Sequence, residues 1–264
     1  MACWMTEHRF TAIVLAAQRD GRLDPLAAEA GVSHKCLVPI GGRPLISHVV
    51  GELALVRGLA RIRISVEAGA EAALRGAIGE LAVPLEFVAA SPTIPDSLYA
   101  AVEDDDGPFV VTTADNVLVT AAAVRRVAER LFAGDDGVGA LARKEDVLSA
   151  HPQGQRRFYK FRDGEYSNCN LYGLSRRGLA LAETYRSGGQ FAKNPRRIVE
   201  AVGLANLVIL RFGLVSLERA MARLGRRFGI RASAVVLEDG AHAIDVDNAR
   251  TYGIAAQLLE SRLA

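Results

Sequence analysis

One repeated pattern constrains this chain more than any other. Short apolar runs of strand length alternate with stretches of helical periodicity through the first half. Thr11–Ala17 is the first such run, rich in β-branched and aliphatic residues. Arg61–Val66, Pro84–Ala89 and Pro108–Thr113 follow it. Between and after them, Pro44–Leu55, Gly69–Leu81, Asp96–Val102 and Ala121–Phe132 read as helices. Pro44 suits the first turn of its helix, and Asp96 suits an N-cap. Strands that alternate with helices pair in parallel through helical crossovers. The expectation is an α/β chain with three layers: a mostly parallel central sheet and helices on both faces.

The second half is less regular. Gly137–Arg143 reads as a strand, and Arg156–Phe161 and Cys169–Leu174 read as strands on either side of an acidic turn, Asp163-Gly164-Glu165. Helices are expected at Gly178–Ser187, Pro195–Leu210 and Leu217–Phe228, a strand at Ala232–Leu237, and a closing helix at Asn248–Arg262. With 264 residues, half of them hydrophobic, the chain has enough apolar surface for a sizeable core. No linker-like stretch divides it, so a single domain is expected. A net charge of +2, from 32 basic and 30 acidic residues, is no nucleic-acid footprint. Cys3, Cys36 and Cys169 are odd in number and lack metal-ligand spacing, which suits free thiols in a reducing cytoplasm. The first ten residues lack the apolar core of a secretory signal. No segment offers the roughly eighteen consecutive apolar residues of a membrane span.

The chemistry starts at the end of the first strand. Gln18-Arg19-Asp20-Gly21-Arg22 is a polar, glycine-containing loop, and Lys35 follows a segment that reads as flexible. Ligands of α/β proteins bind at the carboxyl ends of parallel strands. Backbone N–H groups there hold phosphate oxygens, and Arg22 and Lys35 can neutralise their charge. The plainer reading of Arg22 and Lys35 is two solvated loop cations.

These same residues carry a resemblance. Leu15-Ala16-Ala17 with Arg22, then Lys35, Leu37, Gly42, Pro44, Leu45 and Ile46, resemble the pattern LAAGxGxR…PKxLxxxxGxPLI. That pattern belongs to the MobA-like NTP transferases, nucleotidyltransferases of GT-A-type, Rossmann-like fold. Gln18 and Asp20 stand where the family has glycine, and His34 stands where it has proline. The resemblance implies a magnesium-dependent transfer of NMP from an NTP to a phosphorylated small molecule such as a sugar, polyol or alcohol phosphate. It implies a nucleotide-binding half at about 8–135, which includes Leu15, Ala16, Ala17, Gln18, Gly21, Arg22 and Lys35, and an acceptor half at about 136–264. Arg22, Lys35 and Asp115 would be the catalytic residues.

Asp115 ends the apolar run in VVTTADNVLV, where the family has a metal-ligating Asp in a GDxP-like pattern. Asn116 and Val117 replace the usual followers, and an Asx turn is the structural alternative. Asp245 and Asp247, in IDVDN, resemble the family's second metal ligand. Asp245 aligns slightly better, and Asp247 is equally suited to cap the last helix. In an extended segment the two carboxylates would share one side. Thr93 and Ser97 are candidates for base contacts, although both also suit turns and caps. On the acceptor side, Asn170 in SNCNLYG resembles a strand asparagine of the family. Lys193, helped by Arg196 and Arg197, would bind the acceptor phosphate. His34 and His151 have no partner legible in sequence, and no nucleophile–base constellation points to covalent catalysis. The apolar run Ile198–Leu217 reads as core packing or a homodimer contact, with a lipid or acyl contact as the alternative. Two other functions share much of this pattern: a GT-A glycosyltransferase using a nucleotide sugar, and a non-catalytic nucleotide-binding regulator.

Overall fold

The computed structural model describes residues 8–18, 22–186 and 213–263. β1 (Phe10–Leu15) is followed by α1 (Pro25–Glu29), the short strands β2 (Pro39–Ile40) and β3 (Arg43–Pro44), and α2 (Leu45–Ala54). β4 (Leu59–Val66), α3 (Glu71–Ile78), β5 (Leu85–Ala89), α4 (Ile94–Ala101), β6 (Phe109–Thr113) and α5 (Ala121–Phe132) continue the alternation. Next come β7 (Gly137–Arg143), α6 (Lys144–Ala150), β8 (Tyr159–Phe161) and β9 (Gly164–Leu174). α7 (Leu217–Phe228), β10 (Ala232–Leu237) and α8 (Ala249–Leu263) complete the described chain.

The main sheet has the order β10-β7-β9-β6-β1-β4-β5, with β8 paired to β9. β1 pairs in parallel with β4 and β6, β4 with β5, and β7 with β10. β9 runs antiparallel between β6 and β7. The expected mostly parallel sheet is therefore present, with one long antiparallel strand inside it.

Alternation along β1 explains why both faces are covered. Ala12 and Val14 pack into one core with Val49 and Val50 of α2 and Val124 and Val127 of α5. Ile13, between them, packs on the other face with Leu98 and Ala101 of α4 and with Leu179. Successive strand side chains point to opposite faces, so a two-sided core needs apolar residues in succession. α5 answers with Ala123, Val124, Val127, Ala128 and Leu131 along one buried stripe, and Thr120 Oγ1 accepts the Ala123 N–H at 3.2 Å as its cap. The alternation of β4 conceals one charge in the interior. Arg63 is buried and bonds Glu86 at 2.7 Å, Asp104 at 2.8 Å and the Ala101 carbonyl at 2.8 Å.

Several local expectations change. The segment before Lys35, read as flexible, holds α1, which Asp24 caps by accepting the Leu26 N–H and which Pro25 begins. Pro44 takes the N-cap position of α2 rather than its first turn. The cap of α4 is Thr93, whose Oγ1 accepts the Asp96 N–H, so Asp96 sits inside the first turn. β8 is shorter than expected and β9 much longer, starting at the turn itself. The helix expected from Gly178 is a 3-10 helix, Gly178–Tyr185. α6 was not foreseen. The helix expected at Pro195–Leu210 lies outside the described residues, as does most of the run Ile198–Leu217. Among the described residues, no helix is long and apolar enough to cross a membrane.

Candidate active site

Asp115 follows β6 in a tight turn, where the Asn116 N–H bonds the Thr113 carbonyl at 3.2 Å. One carboxylate oxygen, Oδ1, accepts the Thr113 hydroxyl at 2.5 Å. The other, Oδ2, accepts Lys35 Nζ at 2.5 Å. Lys35 begins a 3-10 turn, Lys35–Leu37, which packs beside α2. Burial works against the Lys35 charge, but the Asp115 carboxylate outweighs it, so the pKa lies above the ordinary lysine value. Lys35 is a fixed cation at neutral pH.

The second acidic segment closes on the same place. The Val246 N–H donates to the Asp115 carbonyl at 3.1 Å, which docks residues 244–247 against the Asp115 turn. Asp245 is buried, 8% exposed, and its Oδ2 accepts Asn170 Nδ2 at 2.8 Å. Burial, then the charges of Asp115 and Asp247, push its pKa well above the ordinary carboxylate range. Asp247 is different. Its side chain is exposed, 3.7 Å from Lys35 Nζ. The segment is not extended: the Asp247 N–H turns back to the Asp245 carbonyl at 3.0 Å, with Asp245 buried and Asp247 exposed. Nor does Asp247 cap α8. That role belongs to Asn248, whose Oδ1 accepts the Arg250 and Thr251 N–H groups.

This donor set fits a hard divalent cation. Asp115 and Asp245 stand on separate loops, close enough for the Asp115 charge to oppose ionisation of Asp245, and among the described residues no cation forms an ion pair with Asp245. No group of three or more His, Cys, Asp or Glu side chains among the described residues forms a cage of its own. Magnesium held by one or two carboxylates and completed by phosphate oxygens and water needs no such cage. Asp115 and Asp245 are the residues suited to hold it.

The first loop is organised by a residue that sequence reasoning missed, Glu67, just beyond β4. Its Oε1 accepts the Gln18 N–H at 2.8 Å, and its Oε2 lies 3.3 Å from His34 Nε2. Gln18 Nε2 donates to the Ser33 carbonyl at 2.9 Å, and His34 Nδ1 lies 3.0 Å from Ser33 Oγ. Gln18 and His34, two of the three departures from the family pattern, thus meet one carboxylate. The Gln18 N–H, expected to face a phosphate, already has an internal anion. Only the pairing of β4 beside β1 brings this acid to the loop; nothing in the sequence directly after RIRISV marks it. His151 likewise has a partner, accepting the Gln153 N–H at 3.1 Å.

The structure therefore brings Lys35, Asp115, Asp245, Asp247 and Asn170 together. Leu15 ends β1 and Ala16 is buried, its N–H given to the Ser65 carbonyl, while Ala17 is exposed at the loop mouth. Arg22 is exposed and has no hydrogen-bond or ion-pair partner among the described residues. The Thr93 hydroxyl is committed to Asp96, and the Ser97 hydroxyl to Ser91. Gly21, Lys193, Arg196 and Arg197 lie outside the described residues. Cys36 is buried, and its thiol is pushed up to about 12 by that burial, so it is no nucleophile.

A lysine opposed to paired carboxylates, at the carboxyl ends of parallel strands in such a sheet, is the equipment of a nucleotidyltransferase. The comparisons agree. Residues 12–201 match the model of the MobA-like NTP transferase domain, and the chain belongs to that family. The bifunctional protein GlmU of Rhizorhabdus wittichii is 29% identical over 149 residues, 55% of this chain. This chain spans only 31% of that relative's length. A hypothetical transferase from Thermus thermophilus superposes with a TM-score of 0.73 at 28% identity, covering 92% of this chain and 99% of its own. The 4-diphosphocytidyl-2C-methyl-D-erythritol synthase of Anaerococcus prevotii shares the fold, with a TM-score of 0.61 at 11% identity over 96% of each chain.

Proposed function

We propose that this nucleotidyltransferase moves NMP from an NTP to a phosphorylated small molecule, a sugar, polyol or alcohol phosphate, with magnesium and release of pyrophosphate. The observation that carries the reading is the Lys35–Asp115 contact at 2.5 Å beside the buried Asp245 carboxylate. Residues 8–135 take the nucleotide side and 136–264 the acceptor side.

An acceptor phosphate oxygen attacks the α-phosphorus, the bond to the bridging oxygen breaks, and pyrophosphate leaves. Lys35 supplies a fixed positive charge where negative charge grows on the α-phosphoryl oxygens. Arg22, exposed and without a hydrogen-bond or ion-pair partner among the described residues, suits the β- and γ-phosphates because a guanidinium holds two oxygens at once. Asp115 and Asp245 would hold magnesium, which would supply positive charge to the phosphate oxygens. Asn170 and Lys193 serve the acceptor. A phosphate nucleophile is already ionised at neutral pH and needs no strong general base.

The test is pyrophosphate release from ATP, CTP, GTP and UTP with a panel of phosphorylated acceptors, with magnesium and with EDTA. Release should require both acceptor and magnesium. Asp115→Ala and Asp245→Ala should abolish it while circular dichroism stays native. Near-normal turnover by Asp115→Ala would overturn the assignment.

A further inference from the structure

Asn116 adjoins Asp115 and is 1% exposed. Its Nδ2 donates to the Cys169 carbonyl at 2.9 Å and to Thr112 Oγ1 at 3.1 Å, with the Asn170 carbonyl at 3.4 Å. The Thr112 hydroxyl donates to that Asn170 carbonyl at 2.8 Å. All of these bonds reach the place where β9 leaves regular pairing. Tyr172 pairs with Gly139 and Asn168 with Leu141, so three residues of β9 oppose Ala140 alone. At the centre of this bulge Asn170 has φ +45°, a left-handed conformation that is costly for a residue other than glycine.

That conformation aims the Asn170 side chain at the site. Its Oδ1 accepts Asn168 Nδ2 at 2.8 Å, which leaves Nδ2 to donate to Asp245 Oδ2 at 2.8 Å. A hydrogen-bonded circuit results. It runs from Asp115 through Asn116, the β9 bulge and Asn170 to Asp245, and returns from Val246 N–H to the Asp115 carbonyl. Asn116 Oδ1 is buried and has no hydrogen-bond partner among the described residues. An unpaired buried acceptor is costly, and an aliphatic side chain would fill the space without it. Stability alone does not account for this amide; its donor end does.

We propose that Asn116 is a positioning residue for the cation site: through the bulge it holds Asn170, and through Asn170 it holds Asp245 at its spacing from Asp115. The proposal rests on Asp115 and Asp245 being the cation ligands. The probe is Mn2+ alone, titrated into the full chain and read by the EPR signal of the free ion, with thermal melts in parallel. Loss of an outer-shell partner commonly weakens metal binding by about 10–100-fold, so Asn116→Ala should raise the Mn2+ Kd about tenfold. Asn170→Ala should do the same, and the double variant should bind no more weakly than Asn170→Ala alone, because both act along one path. Thr112→Val, which keeps the amide and removes one bond to the bulge, should show a smaller loss and serves if Asn116→Ala does not fold.

A lowered melting temperature with an unchanged Mn2+ Kd in Asn116→Ala would mean a merely structural role and would overturn the proposal. Full additivity with Asn170→Ala would overturn it too. Asp245→Asn separates this from the underlying reading. If that variant keeps wild-type Mn2+ affinity, the site itself is misassigned. If it loses affinity while Asn116→Ala does not, only the positioning role falls.

Discussion

Replacing Asp245 by asparagine should make the metal-free protein more stable while disabling it. The substitution keeps shape and an acceptor for Asn170 Nδ2, and removes one buried charge. In the native protein that charge is poorly compensated. Asp245 is 8% exposed, Asp115 and Asp247 oppose its ionisation, and Lys35 is already bound to Asp115 at 2.5 Å. Under-compensated buried polar groups cost about 1–3 kcal/mol, more when charged. Recovering that amount in a chain of this size would raise Tm by roughly 2–10 °C. The sign with pH follows from linkage. A carboxyl whose folded pKa lies above its unfolded value loses stability as pH climbs between the two, and asparagine does not. The gap between variant and wild type should therefore open above about pH 4 and close below it. Thermal melts in EDTA across that range provide the measurement, and magnesium with an NTP should then stabilise the wild type but not the variant. A variant less stable than wild type in EDTA at neutral pH would refute the argument, because Asp245 would then be well compensated without a cation.

Lys35→Met should cost about 2 kcal/mol, between the values of exposed and fully buried pairs, because both side chains are only partly buried. Added magnesium should recover more stability in this variant than it adds to wild type, and an equal response in melts would count against the pairing. Burial opposes ionisation of Asp105, but the Thr11 hydroxyl and Gly107 N–H outweigh it and hold its pKa below the ordinary value. Asp105→Asn should thus lose about 0.5–1 kcal/mol at neutral pH, and urea titrations should show the deficit vanishing below about pH 4. Gly240 lies so close to residues 146–147 that an added Cβ would sit 2.2 Å from the Asp146 carbonyl. Gly240→Ala should displace the segment leading to Asp245, lowering both Tm and Mn2+ affinity; an unchanged Kd would show that residues 244–247 are positioned independently.

Much of the fold is legible locally. β1 and β6 announce themselves through successive apolar residues, and α5 through its stripe and its threonine cap. Lys35 and Asp115 are readable as candidates because each sits beside an element whose ends the sequence marks. Glu67 and Asn116 are not readable in this way. Each acts on residues far along the chain, Glu67 on Gln18 at a separation of 49 and Asn116 on Cys169 at 53. Nothing in EAGAE or ADNVL distinguishes such a partner from an exposed acid or a turn asparagine.

Strand and helix identity in this chain follows from side-chain period and capping, which neighbouring residues decide among themselves. That β9 enters the sheet antiparallel, that its bulge turns Asn170 left-handed, and that Asp245 is buried while Asp247 is exposed, come from packing between distant segments. One turn at residues 245–247 leaves one carboxylate buried and the next exposed, and only the docking of that turn against Asp115 brings the segment to the site.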